Sequence, residues 1–271
     1  MSKKLKVAAG IAFYNDCKSL ERTLDSLKDK VDMMICVDGR FKHYKDGNST
    51  GLSYDQSRQL VRSYDKTFLI DMPHCYEIQK RQAYVDACKQ DYEFLLIIDS
   101  DEYVIEYDEK EFHTKLNEIW EHPHYAAYNV FAIMLEVNSG NYYHIAHEFA
   151  GGQPPQPSTR EKTFAHSPRL WMRPWEMEYN VTHYCFRNKN PSSSLHYMET
   201  NPAISIITGM KLGHDHSLRN KEHLRNRKAY QKWLVEFEQN KLRKFMHETK
   251  LSPLLEEYDK IDVNDNYKPS G

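Results

Sequence analysis

The first hundred or so residues of the chain alternate short apolar runs with longer segments of helical periodicity. Four apolar runs predict buried strands, at residues 5–13, 31–37, 67–70 and 94–98. Three segments between them predict helices, at residues 16–27, 53–64 and 78–89. Strands that alternate with helices form a parallel, doubly wound sheet. The sequence therefore predicts an α/β fold whose mostly parallel sheet is flanked by helices.

Acidic and amide side chains follow three of these predicted strands. Asn15 and Asp16 come after the first strand, Asp38 ends the second, and Asp99 and Asp101 come after the fourth. Ligands of open α/β sheets bind outside the carboxyl ends of the strands. We therefore expect these side chains to line one cleft at that edge of the sheet.

The triplet Asp99-Ser100-Asp101 directly follows five consecutive apolar residues, 94–98. Carboxylates at the end of a buried strand lose hydration, a cost that a cation or hydrogen-bond donors must compensate. Two carboxylates can bind Mg²⁺ or Mn²⁺, which completes its shell with substrate phosphates and water. The triplet predicts a metal site that would neutralise a departing nucleoside diphosphate. The alternative is a pair of turn or helix-capping aspartates.

A predicted helix carrying Gln79-Lys80-Arg81-Gln82-Ala83 precedes this strand and the sequence Asp99-Ser100-Asp101-Glu102. With Phe13-Tyr14-Asn15-Asp16 and Val37-Asp38-Gly39, the arrangement resembles the nucleotide-binding segments of family-two-like GT-A glycosyltransferases. The resemblance covers roughly residues 5–105 and is weaker at residues 168–171 and 181–183. It implies a GT-A, Rossmann-like domain that transfers a sugar from a nucleotide donor.

The resemblance also implies roles for single residues. The backbone near Phe13-Tyr14-Asn15 and the carboxylate of Asp38 would hold the nucleobase and ribose. Arg81 would face the diphosphate or support the aspartates, and a guanidinium suits bidentate binding of phosphate. Asp99 would contact the ribose or the metal, and Asp101 would bind the metal. The implied cofactors are Mn²⁺ or Mg²⁺ and a nucleotide sugar, with a UDP-sugar as the first candidate.

The resemblance also implies a third metal ligand from a late strand, and the best candidate is the segment His214-Asp215-His216, which follows an apolar run at residues 204–212. In an extended segment, His214 and His216 share one side and Asp215 points to the other. Histidine is an acceptable ligand for Mn²⁺. His183 is the rival candidate, and two surface histidines before a helix are the alternative reading.

An inverting transfer needs a general base near the acceptor hydroxyl, whereas a retaining transfer does not. Glu136 and Asp215 are the candidates that we retain for this base, with Asp101 as the central catalytic carboxylate. Glu176 and Glu178 are further candidates, and no single residue stands out. The inverting course is the one that we prefer.

The second half of the chain predicts further elements of the same domain. Asp108 can cap a helix whose inner face carries Phe112, Leu116, Ile119 and Trp120. Apolar runs predict strands at residues 125–137, 168–173, 181–186 and 204–212, with a long irregular loop at 138–167. We expect a nucleotide-sugar-binding and catalytic domain over 1–216, a basic amphipathic helical extension over 217–262 and a flexible tail over 263–271.

Composition limits the partners and the cellular location that we expect for the chain. Its formal net charge is −2, so no global field draws it to nucleic acid or to an anionic membrane. No run of about eighteen apolar residues occurs, and the five cysteines form no Cys-x-x-Cys pair. We expect no transmembrane segment and a cytoplasmic location, with peripheral attachment to a membrane as an option.

The acceptor is left open by the sequence: an acceptor glycan, a lipid-linked sugar, a protein or a modified nucleic-acid base. Two other functions compete with glycosyl transfer. A nucleotidyltransferase also uses paired aspartates and a metal, but it usually carries a Gly-rich loop with Arg and Lys after the first strand. A non-catalytic carbohydrate- or protein-binding module would not need aspartates at the ends of three strands.

Overall fold

The computed structural model describes residues 4–42, 44, 48–123, 127–136, 141–145, 169–180, 182–189, 206–214 and 218. Most of the predicted loop at 138–167 lies outside these residues. So do nearly all of the predicted extension at 217–262 and the whole predicted tail at 263–271. The described part nevertheless contains the ends of all the strands on which the sequence placed its candidate site.

The first half of the chain alternates strands and helices as the apolar pattern predicts. Its elements are β1 (Val7–Phe13), α1 (Cys17–Leu27), β2 (Met33–Asp38), α2 (Ser57–Arg62), β3 (Thr67–Asp71), α3 (Glu77–Cys88) and β4 (Phe94–Asp99). Leucines at helical spacing form the buried face of α1, and α2 is shorter than the predicted helix at 53–64.

The second half adds one helix and seven strands among the described residues. These elements are β5 (Glu102–Tyr107), α4 (Glu109–Glu121), β6 (Ala127–Glu136), β7 (Asn141–Ile145), β8 (Leu170–Met172), β9 (Met177–Asn180), β10 (Thr182–Asn188) and β11 (Ile206–His214). The Asp108 carboxylate accepts a hydrogen bond from the Glu111 backbone N–H at 2.9 Å, so it caps α4 as predicted. The sequence did not predict β5.

In the described part of the chain, nine strands form one sheet in the order β3-β2-β1-β4-β8-β6-β11-β5, with β7 beside β6. The strands β3, β2, β1 and β4 are mutually parallel. β6 runs in the same direction, because β4 and β6 both pair antiparallel with β8, and β11 pairs parallel with β6. The sheet is therefore mostly parallel, as predicted, and helices flank it. β9 and β10 form a separate antiparallel pair.

The strand order reverses at β1. The chain proceeds outward from β1 to β2 and β3, and then returns to the other side of β1 to form β4. The strand ends are level there, since Phe13 is opposite Asp38 and Ala12 is opposite Asp99. In open α/β sheets such a reversal leaves a crevice outside the carboxyl ends of the strands, which is where ligands bind.

The unpredicted strand β5 lies at the far edge of the sheet from β3 and pairs antiparallel with β11. Its sequence mixes charged, aromatic and aliphatic residues directly after an acidic turn, and much of the strand is exposed. Local pattern therefore favoured a loop. The β5–β11 register places His214 opposite Glu102, which brings the end of β11 to the acidic turn.

No helix in the described ranges is both long enough and apolar enough to cross a membrane.

Gly10 in β1 lets α3 pack directly on the sheet. A Cβ atom at this position would lie 2.6 Å from the ring of Tyr84. We expect Gly10→Ala to lower the free energy of unfolding by about 1–3 kcal/mol, because the added methyl forces strand and helix apart. Urea unfolding measures this loss. In a double-mutant cycle with Tyr84→Ala the loss should shrink, and an unchanged urea midpoint for Gly10→Ala alone would contradict the close contact.

Candidate functional site

The acidic turn of residues 99–102 joins the end of β4 to the start of β5. Asp99 is the last residue of β4, Glu102 is the first residue of β5, and Ser100 and Asp101 form the turn. The Asp99 backbone N–H donates to the Glu102 carboxylate at 2.8 Å, which closes the turn. Three carboxylates thus lie within four consecutive residues, and each contacts a different element of the fold.

Helix α1 holds this turn in place. The Thr23 hydroxyl lies 2.8 Å from the carbonyl oxygen of Ser100 and 2.6 Å from that of Glu102. The Ser100 hydroxyl donates to the Asp16 carboxylate at 2.6 Å. Asp16 immediately precedes α1. The turn is therefore hydrogen-bonded both to the residue before the helix and to Thr23 within it.

Asp101 is fully buried and contacts His214 at the end of β11. The distance between Asp101 Oδ2 and His214 Nε2 is 3.0 Å. Burial of the imidazole disfavours its charged form, but the carboxylates of Asp101, Glu102 and Asp99 together outweigh this effect and raise the pKa of His214 above its ordinary value. A buried carboxylate and a buried imidazole therefore form one hydrogen-bonded pair, on segments far apart in the sequence.

Two arginines lie on either side of Asp99. Arg81 on α3 donates to Asp99 Oδ1 at 2.9 Å and to Glu77 at 2.9 Å. Arg169, just before β8, donates to Glu102 at 2.7 Å, and its guanidinium lies 3.8 Å from Asp99 Oδ2. Burial raises the pKa of the Glu102 carboxyl, although the charge of Arg169 opposes this.

Asp38 and Asn15 are joined through Ser53. The Ser53 hydroxyl donates to Asp38 Oδ1 at 2.6 Å and accepts from the Asn15 backbone N–H at 2.8 Å. Asp38 is fully buried and also accepts from Arg58 at 2.7 Å. Arg58 reaches the Asp71 carboxylate as well, at 2.8 and 3.0 Å. The backbone at Asn15 and the carboxylate of Asp38, which the resemblance assigned to the nucleoside, are therefore held together by the segment that follows β2.

The residues next to Asn15 are buried at the end of β1. Phe13 and Tyr14 are both nearly inaccessible, and the Tyr14 ring packs edge-on against Tyr44 at 6.4 Å between centroids. Asn15 has a φ of 48°, in the left-handed region, and its side-chain oxygen accepts from the Tyr54 backbone N–H at 2.9 Å. The chain therefore turns sharply as it leaves β1.

Lys80 on α3 is buried with only 1% of its surface exposed. Its ammonium donates to the carbonyl oxygen of Phe13 and, at 2.6 Å, to that of Gly39. Burial lowers the pKa of Lys80 to about 8. A lysine beside Arg81 on a predicted helix reads as an exposed charge, so nothing in the local pattern indicates this contact.

The structure thus brings together Asp99, Asp101, Arg81 and His214, and it adds residues that we had not selected. The additions are Glu102, Arg169, Ser53 and Lys80. Glu102 and Arg169 belong to segments that the resemblance had marked, whereas Ser53 lies outside those segments. Asp215 and His216 lie outside the described residues, and so does the side chain of Glu136, the last residue of β6.

Within the described ranges, no three His, Cys, Asp or Glu side chains are grouped so that they could hold a metal ion. The Asp101–His214 pair offers one carboxylate and one imidazole, both acceptable ligands for Mn²⁺. Mg²⁺ and Mn²⁺ sites often use one or two protein ligands and complete the shell with substrate phosphates and water. The pair could therefore supply two of the ligands of a cation whose remaining positions a phosphate ligand and water would fill.

Several solved structures are similar to this chain at low identity. S. aureus TarS 1-349 in complex with UDP-GlcNAc is 17% identical, with a TM-score of 0.42, over 81% of this chain and 61% of that one. S. aureus TarS is 19% identical, with a TM-score of 0.39, over 62% and 28%. Glucosyl-3-phosphoglycerate synthase from Mycobacterium tuberculosis, in complex with Mn²⁺, UDP and glucosyl-3-phosphoglycerate, is 14% identical, with a TM-score of 0.33, over 49% and 46%.

The chain therefore spans less than two thirds of the length of each of these proteins. No protein-family model matches the chain, and no curated protein matches it. At these TM-scores the similarities decide neither fold nor function, which rest on the strand order and the side-chain contacts.

The buried pair of Glu102 and Arg169 can be compared with an exposed pair on the same strand. Glu102→Gln leaves the Arg169 guanidinium buried beside a neutral partner, so we expect the free energy of unfolding to fall by about 3 kcal/mol or more. Glu106→Gln removes the partner of Lys211 at the surface, where Glu106 is 68% exposed, and should cost less than about 1 kcal/mol. Urea unfolding of both variants checks this, and equal losses would contradict the burial of the first pair.

The stability of the fold should depend on pH through Lys80. Its folded-state pKa of about 8 lies below the ordinary value of 10.5, so the unfolded chain binds this proton more tightly. The charged lysine therefore disfavours the folded state below pH 8, and that cost fades as the pH rises. Between about pH 7 and about pH 9.5 the wild type should gain about 2 kcal/mol relative to Lys80→Met. Urea titrations at both pH values measure the difference, and a constant difference would contradict the lowered pKa.

Proposed function

We propose that this chain is a metal-dependent glycosyltransferase that moves a sugar from a nucleotide-diphosphate donor to an acceptor hydroxyl. The observation that carries the proposal is the buried Asp101–His214 pair, 3.0 Å apart, beside a carboxylate flanked by two arginines. This group lies next to the carboxyl ends of β1 and β4, where the strand order reverses. A ligand with both a metal-binding and an anionic part suits such a place, and a nucleotide sugar has both.

The arginines support the diphosphate part of the proposal. Arg81 and Arg169 place two guanidinium groups against Asp99, so the acidic turn does not present negative charge alone. Guanidinium groups bind phosphate oxygens through paired hydrogen bonds. We propose that Arg81 orients Asp99 and that both arginines favour the approach of the donor diphosphate.

Asp101 and His214 are the residues that would hold the cation, with Asp99 and His216 as further candidate ligands. A bound Mn²⁺ or Mg²⁺ supplies Lewis-acid stabilisation of the charge that develops on a departing nucleoside diphosphate. The contacts of Thr23 and Asp16 to the turn fix the position of Asp101 independently of any ligand. Preorganised groups of this kind lower the barrier because they need little rearrangement during the reaction.

We propose that the donor is a UDP-sugar and that the transfer inverts the anomeric centre. Glu136 and Asp215 are the candidate bases for that course. An acceptor glycan, a lipid-linked sugar, a protein and a modified nucleic-acid base are the acceptor classes to test. We also propose that the nucleotide-sugar-binding unit spans residues 1–216 and that residues 217–262 form an appended basic segment, in a chain that works in the cytoplasm.

Replacing Asp101 tests the metal-dependent binding of the donor. Asp101→Asn keeps the shape of the side chain but removes the charge, so we expect donor affinity in Mn²⁺ to fall at least about 100-fold. Thermal-shift titrations with UDP-, GDP- and dTDP-sugars, with Mn²⁺ and with excess chelator, measure it, since a bound ligand stabilises the fold by mass action. Asp91→Asn is the matched control, because Asp91 is exposed before β4, at the opposite end of that strand.

Assays of product release, run beside the binding titrations, separate the competing functions. A nucleotidyltransferase would instead release pyrophosphate from a nucleoside triphosphate and a sugar phosphate. A carbohydrate- or protein-binding module would show no dependence on metal or on Asp101. Turnover of a nucleotide sugar that is unaffected by chelator would reject the metal-dependent mechanism.

A further inference from the structure

Lys80 is a buried cation whose contacts join two strand ends. Its ammonium donates to the carbonyl oxygen of Phe13, the last residue of β1, and to that of Gly39, which follows β2. The same nitrogen lies 5.0 Å from the centroid of the Phe41 ring, on a third side. Lys80 therefore links α3 to the carboxyl ends of the two strands on one side of the crevice.

The burial of Lys80 is unfavourable for the stability of the fold. In the described part of the chain, no hydrogen bond or ion pair joins Lys80 to a carboxylate, and its partners are neutral carbonyl groups and a ring. A buried charge without a paired counter-ion destabilises a fold, and an apolar side chain of similar length often serves stability better. The lysine thus has a cost to stability that a purely structural role does not explain.

The backbone held by Lys80 has little freedom on its other side. Gly39 has a φ of 153°, and a Cβ atom there would lie 2.0 Å from the carbonyl oxygen of Met72. The Gly39 N–H also faces the carbonyl oxygen of Phe13 at 3.4 Å. The segment after β2 is therefore confined between β3 on one side and the ammonium of Lys80 on the other.

We propose that Lys80 is a positioning residue for the nucleoside part of the donor. It fixes the distance between the ends of β1 and β2, so that the backbone of residues 13–15 and 39–40 presents an edge of fixed shape to the base and ribose. The Asp38 carboxylate, which is engaged by Ser53 and Arg58, supports the same edge from within. This inference rests on the proposed function, since it names the nucleoside of a nucleotide donor as the ligand.

The charge of Lys80 strengthens its hydrogen bonds to the two carbonyl groups, because a charged donor binds more strongly than a neutral one. The charged or titratable groups that act on it are Asp38 on β2, Cys75 before α3, and Glu77 and Arg81 on α3. Burial lowers the pKa of Lys80 to about 8, so the neutral amine forms within an accessible pH range. The edge should then become less rigid as the pH rises through 8.

The test compares Lys80→Met and Lys80→Gln with wild type and with Lys110→Met, which removes an exposed lysine on α4. Calorimetry measures the affinity for UDP and for a UDP-sugar in Mn²⁺, and initial rates give KM and kcat for the same donor. We expect Lys80→Met to weaken UDP binding and raise the donor KM at least about tenfold, with kcat within about threefold of wild type. Lys80→Gln, which keeps two N–H donors, should have a UDP affinity and a donor KM between those of Lys80→Met and wild type. Lys110→Met should match wild type in both.

A separate readout distinguishes positioning from damage to the fold. Lys80→Met should still unfold cooperatively, with a urea midpoint near that of wild type at pH 7, because removal of the buried charge offsets the loss of its two hydrogen bonds. It should bind Mn²⁺ as wild type does. A variant that fails to fold, or that binds UDP as tightly as wild type, overturns the inference about Lys80. If wild type itself binds no nucleotide or nucleotide sugar, the proposed function fails first.

Discussion

The carboxylates of the acidic turn are largely buried, and the partners that compensate their charge determine how the surrounding elements are arranged. The three carboxylates lose most of their hydration, so each requires a partner that approaches from elsewhere in the fold. These partners come from three separate elements: Arg81 from α3, Arg169 from the start of β8 and His214 from the end of β11. The turn therefore fixes the positions of α3, β8 and β11 relative to the end of β4. Replacing one partner leaves a buried charge exposed to an apolar surrounding, so the contacts depend on one another.

The β4 side and the β1–β2 side of the crevice differ in what their charged side chains contact. On the β4 side, charged side chains face one another and provide the chemistry that a metal and a diphosphate would use. On the β1–β2 side, charged side chains such as Asp38 and Lys80 are directed at protein groups, and the backbone forms the edge. A rigid backbone edge can distinguish a planar base by shape without placing a free charge beside it. This division motivates both the proposed function and the role that we assign to Lys80.

The strands and helices around the crevice were predictable because their signals are local. A run such as residues 94–98 is buried on both faces of a parallel sheet and therefore reads as continuously apolar. The capping residue Asp108 and the apolar face of α4 likewise predicted that helix. β5 escaped prediction because an exposed edge strand carries no continuous apolar run, and its partner β11 lies about a hundred residues later. Lys80 escaped because its environment depends on the ends of two other strands, and Ser53 because its contacts to Asn15 and Asp38 join segments that are far apart in the sequence.

The sequence by itself determined the alternating α/β order and the presence of acidic or amide residues at the ends of β1, β2 and β4. These follow from hydrophobic periodicity, which acts over neighbouring residues. Only the tertiary structure decided which group each charge meets: Asp101 meets His214 across 113 positions of the chain, and Asp38 meets Ser53 and Arg58 rather than the crevice. The physical reason is that a buried charge is satisfied by whatever donor the packing brings within about 3 Å, and packing is a property of the whole sheet.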